Sequence, residues 1–456
     1  MNVLTQLSRY FFIILIAFFT LEDYLYFGKR SEEARMRLIR RQMLITHMLM
    51  ASGFLLLFLH LRDIGFLLLS ATVIIYFMIT LSLYRSLYPN ASMLLVNNML
   101  MLLGIGFLMI ARLSLDKAFM QFVIAASATI IAFLVPVLIR KMKFLPRLTW
   151  LYAILGIGAL LGVLALAAVS GGAKLSIEIG GFTLQLSELV KLTLVFFMAA
   201  QMAADNSFRS AALTAAVAAV HVFILVLSTD LGTALVFFTA CIVVVFVATG
   251  KLRYPLTGLL GGSAAAVLAY FAFGHVRARV VAWRDPFAVY ETSGYQIVQG
   301  LFGIGAGGWL GSGLGQGSPG MIPVASKDAI FAAICEELGG IFAICLLLIC
   351  MSTFLLIVSI SMRIHNTFYK LVAIGLGTEY AIQVFLTVGG VMKFIPLTGI
   401  TLPLVSYGGS SVMSTILMIA IVEGLYILRE DEGEYEKKMV RMSAREKVRQ
   451  EEARNG

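Results

Sequence analysis

Long apolar runs, separated at short intervals by clusters of cations, glycines or carboxylates, set the pattern of this chain. A helix needs roughly 20 apolar residues to cross about 30 Å of hydrocarbon. Runs of that kind at residues 10–27, 43–60, 64–83, 93–111, 119–139, 150–169, 187–203, 210–227, 231–249, 255–274, 329–360, 371–392 and 405–428 predict thirteen membrane spans. Between the tenth and eleventh, residues 275–328 form a polar, glycine-rich segment. After the last, residues 429–456 are a mixed-charge tail, read as a solvated helix or a disordered segment. The expected fold class is therefore all-α, a polytopic membrane protein with one large loop.

Composition agrees: 60% of the 456 residues are hydrophobic and 13% charged, and the mean hydropathy is +0.93. No soluble fold hides that much apolar surface from water. Cations fix the expected orientation, because short loops rich in Lys and Arg stay cytoplasmic. With Lys29–Arg41 inside, alternation places Arg140–Arg147, Lys251 with Arg253, Arg363–Lys370 and the tail inside as well. It places 275–328 outside, together with loops 170–186, 228–230 and 393–404, and puts the N-terminus outside. The net charge of +10 resides largely in inward loops and tail, where topology and anionic lipid explain it better than nucleic acid.

Cys241, Cys335, Cys345 and Cys350 fall within or beside apolar runs with no metal spacing, so they read as packing residues. The first run is followed by Arg and Lys rather than small residues, and is expected to stay as a helix rather than be removed. Gly303-Ile-Gly305-Ala-Gly-Gly308 matches the dinucleotide fingerprint only formally, since that motif carries meaning between a strand and a helix of a βαβ unit. Gly303–Gly317 reads either as backbone that must turn sharply and pack closely or as backbone that closes over a polar headgroup.

Ionisable residues in or beside spans are costly and count as functional candidates. Five groups stand out: Glu188 with Lys191, Asp230, the cations Arg277, Arg279 and Arg284, the pair Lys327 with Asp328, and Glu336 with Glu337. Glu188 and Lys191, three apart, share one helix face, where mutual neutralisation is the alternative to a substrate role. Asp230 stands where a loop enters the next span, and capping is the alternative there. Asp328 opens a long hydrophobic helix, where a carboxylate also suits the dipole. Three arginines and a lysine in the same loop argue for more, because cations beside one carboxylate suit a phosphorylated ligand plus a base. Spans four to seven, with Arg112, Lys117 and Gln121 at the outward junction, offer one wall of a groove open to the bilayer, or Arg112 and Lys117 act as interface anchors.

Several motifs together resemble the SEDS family (shape, elongation, division and sporulation), whose members include FtsW, RodA and SpoVE. Asp328–Gly339, DAIFAAICEELG, is similar to that family's DFIFAVIAEELG. Pro403–Ser411 reads PLVSYGGSS, Asp230–Ala234 reads DLGTA, and Trp283-Arg-Asp-Pro286 with Gly294-Tyr-Gln296 and Gly307-Gly308 also fits. The resemblance covers about residues 93–428, ten spans, and leaves 1–92 as an extension of about three spans. The family's QPSE is Gln-Leu-Ser-Glu here, its preceding Arg-Trp is Leu175-Ser176, and the threonine before its aspartate is Lys327.

The resemblance implies a peptidoglycan glycosyltransferase that polymerises lipid II at the outer face of the cell membrane. It implies Asp328 as general base, with Lys191, Glu188, Arg277, Arg279, Lys327, Asp230, Ser406 and Ser410 at the substrate, and a class B penicillin-binding protein transpeptidase as partner. No cofactor is firmly implied. A divalent cation, magnesium or manganese, is left open as an aid to the departing diphosphate, although no acidic cluster has metal spacing. The rival readings are a lipid II flippase, for which Glu188, Lys191 and Asp230 form a polar track, and a non-enzymatic scaffold for division or sporulation.

Overall fold

The computed structural model describes residues 2–166, 177–179 and 182–455. Much of the loop expected at 170–186, including the Leu175-Ser176 departure, lies outside the described residues. The helices are α1 (Asn2–Gly28), α2 (Glu32–Leu61), α3 (Gly65–Leu87), α4 (Met93–Leu113), α5 (Leu115–Ala132), α6 (Val135–Lys141), α7 (Thr149–Leu166), α8 (Ser187–Ala204), α9 (Phe208–Leu227) and α10 (Leu231–Thr249). They continue as α11 (Arg253–Ala272), α12 (Gly274–Arg284), α13 (Tyr295–Gly307), α14 (Ile330–Met362), α15 (Thr367–Val391) and α16 (Gly409–Asn455).

Twelve helical segments are long and apolar enough to cross a membrane, α5 and α6 counting as one, and α7 is a shorter thirteenth. These thirteen match the runs expected from sequence. One small sheet departs from the helical pattern: β1 (Ile177–Ile179) pairs antiparallel with β2 (Phe182–Leu184), Ile177 opposite Leu184. The mixed-charge tail continues α16 as helix.

The first three helices pack against the rest rather than standing apart, with α1 along α14 and α2 along α4. As a result α4, apolar on nearly every side, is buried from Met93 to Ala111, the position expected of a helix with no polar face. All four cysteines are buried thiols. Local signals fix several helix starts: Ser31 Oγ accepts from the Ala34 N–H, and Asn366 Oδ1 from those of Phe368 and Tyr369.

The glycine segment is built into α14. At Gly339 the helix breaks, with φ 89° and ψ 165°, a conformation that favours glycine. The carbonyls of Glu336 and Glu337, freed from their helical partners, accept from Ser312 and Gly313 N–H at 2.9 Å each. The freed N–H groups of Gly340 and Ile341 donate to the carbonyls of Gly308 and Trp309 at 2.9 and 3.1 Å. The loop thus replaces the helix's own bonds, as buried backbone in an apolar setting must be satisfied somewhere. A Cβ on Gly339 would meet the Gly311 amide nitrogen at 2.4 Å, and one on Gly311 the Glu337 carbonyl oxygen at 2.4 Å. Gly339→Ala is therefore expected to cost at least about 1–3 kcal/mol through its positive φ alone, and more through the backbone clash. A large drop in melting temperature in detergent is the readout, and an unchanged one would contradict this account.

Candidate functional site

Four loops meet at one end of the bundle. Arg279 on α12 donates Nη1 to the Thr398 carbonyl at 2.9 Å, and Trp283 donates Nε1 to that of Lys393 at 3.1 Å. The Tyr407 N–H reaches the Ser326 carbonyl at 2.7 Å, and the Gln185 N–H donates to Ser410 Oγ at 2.9 Å. Gln185 Nε2 also donates to Asp230 Oδ2 at 3.2 Å. Segments 182–186, 228–230, 275–328 and 393–411, far apart in sequence, form one polar surface.

Asp328 lies at its centre, partly buried. Its Oδ2 accepts from Gln296 Nε2 on α13 at 3.1 Å, while Oδ1 has no hydrogen-bond partner. The N-cap position of α14 is Ala329, and neither Asp328 oxygen accepts from the first helical turn, Oδ2 being taken by Gln296 and Oδ1 having no partner, so the carboxylate does not serve as the cap. Burial raises its pKa above the ordinary carboxylate range, opposed by the Gln296 hydrogen bond, the nearby backbone N–H groups of Asp328 and Ala329, and the Lys327 charge. Lys327 is exposed. Arg279 interacts electrostatically with both Asp328 and Asp230; burial lowers its pKa and the two carboxylates counter that shift. A small cavity of about 10 Å³ is lined by Gln296, Gly300, Ala329, Val391 and Leu397, the first of which is the Asp328 partner.

Asp230 caps α10, its Oδ1 accepting from the Thr233 N–H at 3.1 Å, while Oδ2 also accepts from Ser187 Oγ at 3.2 Å. Deeper in the bundle, Lys191 Nζ pairs with Glu188 Oε2 at 2.5 Å and donates to Gln383 Oε1 at 2.9 Å. Ser414 Oγ donates to the same Glu188 oxygen at 3.0 Å. Gln383 passes the arrangement on to the loop through Nε2 contacts with the Thr401 carbonyl and Ser411 Oγ at 3.1 and 3.3 Å. Lys191 is 4% and Glu188 5% exposed, so the pair is an internal strut beneath the polar surface.

The remaining candidates divide by what they touch. Arg277 turns away, over the Tyr270 ring with Nη2 on the Phe271 carbonyl, and Arg284 is exposed. Ser406 is buried, donating to the Lys327 carbonyl at 2.6 Å and accepting from the Leu402 N–H at 2.8 Å. It thereby ties the serine-glycine loop to the residue before Asp328. Gln121 fastens that loop from α5, donating to the Ser406 carbonyl and accepting from the Gly408 N–H, both at 3.1 Å. Lys117 lies over the Tyr407 ring. Arg112 Nε pairs with buried Glu337 at 3.0 Å and its Nη2 donates to the Gly317 carbonyl at 3.1 Å. Glu337 Oε2 accepts from the Gly315 N–H at 3.1 Å, and Glu336 Oε1 from that of Ser318 at 2.6 Å. These residues shape the loop that delivers Asp328.

Gln296 was visible in sequence as part of a motif but had no assigned role; 32 residues from Asp328, it gives no local spacing signal. Glu379, buried on α15 with neither oxygen hydrogen-bonded, interacts electrostatically with Lys191 and Glu188. Its position inside an apolar run was the available signal. Among the described residues no group of three His, Cys, Asp or Glu side chains is placed to hold a metal ion.

Comparison with known proteins places this geometry in context. A chain titled as part of a peptidoglycan synthase complex superposes with a TM-score of 0.63 at 24% identity, over 75% of this chain and 98% of that one. A crystal structure of the Thermus thermophilus rod shape determining protein RodA gives 0.57 at 23% identity, over 74% and 96%. In sequence, the peptidoglycan glycosyltransferase RodA of Mycobacterium tuberculosis is 36% identical over 373 residues, 74% of this chain and 78% of the relative. Stage V sporulation protein E of Bacillus subtilis is 33% identical over 264 residues, 56% and 70%. The sequence model of the FtsW, RodA and SpoVE family, described as "Cell cycle protein", matches residues 90–430. Matched over most of its length by that model and by relatives above 30% identity, the chain belongs to the FtsW, RodA and SpoVE family.

Proposed function

We propose that this protein is a multi-pass membrane glycosyltransferase of peptidoglycan synthesis, which polymerises lipid II at the outer face of the cell membrane. One observation carries the reading. Asp328 is held by Gln296 through one oxygen and keeps the other without a protein partner, beside Arg279 and Lys327. A carboxylate so placed accepts the proton of the acceptor sugar's 4-hydroxyl as that oxygen bonds to the anomeric carbon of the donor. The bond to the lipid diphosphate breaks, and the diphosphate departs with the electron pair. Arg279 and Lys327 supply positive charge where that charge develops. Any magnesium or manganese ion in the reaction would be held by diphosphate oxygens and water, and would lend positive charge to the departing group.

Sidedness rests on the distribution of cations, which places the Asp328 loop outside and the α16 tail in the cytoplasm. A class B penicillin-binding protein is the proposed partner, the complex-derived structural neighbour being the supporting observation. The deciding experiment is incubation of the purified chain with lipid II in detergent. Glycan polymer is expected; its absence, with lipid transport retained in vesicles, would favour the flippase.

The pH profile gives a further test. The base works ionised, so polymerisation falls as pH falls through the raised pKa of Asp328, at higher pH than an ordinary carboxylate allows. Gln296→Ala removes a hydrogen bond that lowers this pKa and is expected to move the acid limb of kcat/KM further upward. An unmoved limb would separate Gln296 from the base.

A further inference from the structure

The helices that precede residue 90, where the family's sequence model begins, reach the loop that delivers Asp328. His60 lies in the last turn of α2. Its Nδ1 bonds the Leu56 carbonyl at 3.1 Å and so carries the ring hydrogen, which leaves Nε2 to accept from Gln316 Nε2 at 2.6 Å. The ring also lies against Gly315, where a Cβ would meet His60 Cγ at 3.6 Å. From α1, Arg9 Nη1 donates to the Gly311 carbonyl at 3.5 Å. Two helices of the extension thus touch one stretch of the glycine segment, residues 311–316.

That stretch is the part built into the break of α14. Ser312 and Gly313 bond the carbonyls of Glu336 and Glu337, the Gly315 N–H bonds Glu337 Oε2, and Arg112 on α4 holds the Gly317 carbonyl. A glycine-rich stretch has no side chains of its own to wedge it in place, so its position depends on the groups bonded to it. The extension can act as a fixed point because it is itself tied to the core. Asn97 Nδ2 on α4 donates to the Ile39 carbonyl and to Gln42 Oε1 of α2, at 3.1 and 3.2 Å. Gly53 of α2 lies so close to α4 that a Cβ there would meet Leu108 Cδ2 at 2.8 Å. On α1, Asp23 Oδ2 accepts from Asn98 Nδ2 at 3.2 Å, and the Tyr24 hydroxyl donates to the Leu348 carbonyl of α14 at 3.1 Å.

We propose that the N-terminal extension braces the glycine segment through His60, which makes His60 a positioning residue for Asp328. The inference rests on the polymerase reading given above. From Gln316 the chain runs on through Ser318, whose N–H bonds Glu336 Oε1, to Lys327, whose carbonyl accepts from Ser406 Oγ. Play at residues 311–316 is therefore passed along a bonded path to the residue before the base. Helices α14 and α4 hold this stretch from the core, and α2 adds a contact from outside it. A base that must meet a sugar hydroxyl in one geometry is sensitive to such play.

The test is hydrogen–deuterium exchange of the purified full-length chain in detergent, read at the amides of residues 311–318, beside its polymerisation kinetics on lipid II. His60→Ala is expected to speed exchange there by about 2- to 10-fold, the worth of one neutral hydrogen bond. It should lower kcat with KM held, while the melting temperature stays with the parent's. His60→Gln keeps a side-chain oxygen that can accept from Gln316, and should restore both exchange and kcat. Gln316→Ala reaches the same contact from the loop side; combined with His60→Ala it should add nothing, since both remove one interaction. Unchanged exchange in both single variants, or effects of the two that add, overturns the brace. Loosened amides with parental kcat overturn the positioning role. Loosened amides in variants of a parent that makes no polymer would leave the brace standing and remove the polymerase reading instead.

Discussion

Asp328→Ala is expected to lower lipid II polymerisation by about 100- to 10,000-fold, the range by which a positioned general base accelerates a reaction, while the protein stays folded in the membrane. The structural reason for the second half is specific. Neither carboxylate oxygen caps α14, and the hydrogen bond to Gln296 is part-buried. Its removal leaves one amide to be rehydrated, and loss of a hydrogen bond to a charged group costs about 1.5–3 kcal/mol. Asp328→Asn sharpens the test, because the amide keeps shape and volume but cannot take the proton. Both variants should unfold within a few degrees of the parent and both should be nearly inactive. Parental activity in either removes Asp328 from the chemistry, and collapse of the fold in both would return it to a structural role.

Much of this architecture was legible in advance because the bilayer imposes a simple rule: an apolar run of sufficient length must be a helix. All thirteen expected spans are helical, twelve of them long and apolar enough to cross a membrane and α7 shorter over its described residues. Asp328, Asp230 and the Glu188–Lys191 pair were legible for a related reason, since charge beside apolar sequence stands out. Contacts between distant segments were not. Nothing local says that Gln121 fastens the loop around Ser406, or that Arg112 reaches Glu337, 225 residues away. The glycine run packs as tight backbone, one of the two alternatives its sequence left open, yet its insertion at Gly339 depends on a helix giving up its own hydrogen bonds, which periodicity does not encode. Glu379 and Asp23 fall inside apolar runs and were passed over, although the rule that exposed Glu188 applies to them equally.

Lys191 separates a substrate contact from an internal strut, and Lys191→Met is expected to cost about 3–5 kcal/mol of stability, the penalty for stripping one partner from a buried charge pair. Glu188 would keep its charge with Ser414 beside it, Glu379 would lose the Lys191 charge that acts on it, and Gln383 would lose a partner that aims it at Thr401 and Ser411. Polymerisation should fall as well, because the loop bearing Ser406 is tied to the Lys327 carbonyl and so to the position of Asp328. Combining Lys191→Met with Glu188→Gln removes the stranded charge and should recover most of the melting temperature. Recovery of activity along with stability marks Lys191 as a positioning residue acting through Gln383. Recovery of stability alone, with a raised KM for lipid II, marks a cation that touches the diphosphate. A single variant as stable as the parent would refute the strut, since it would mean that a methionine can replace the lysine that pairs with buried Glu188.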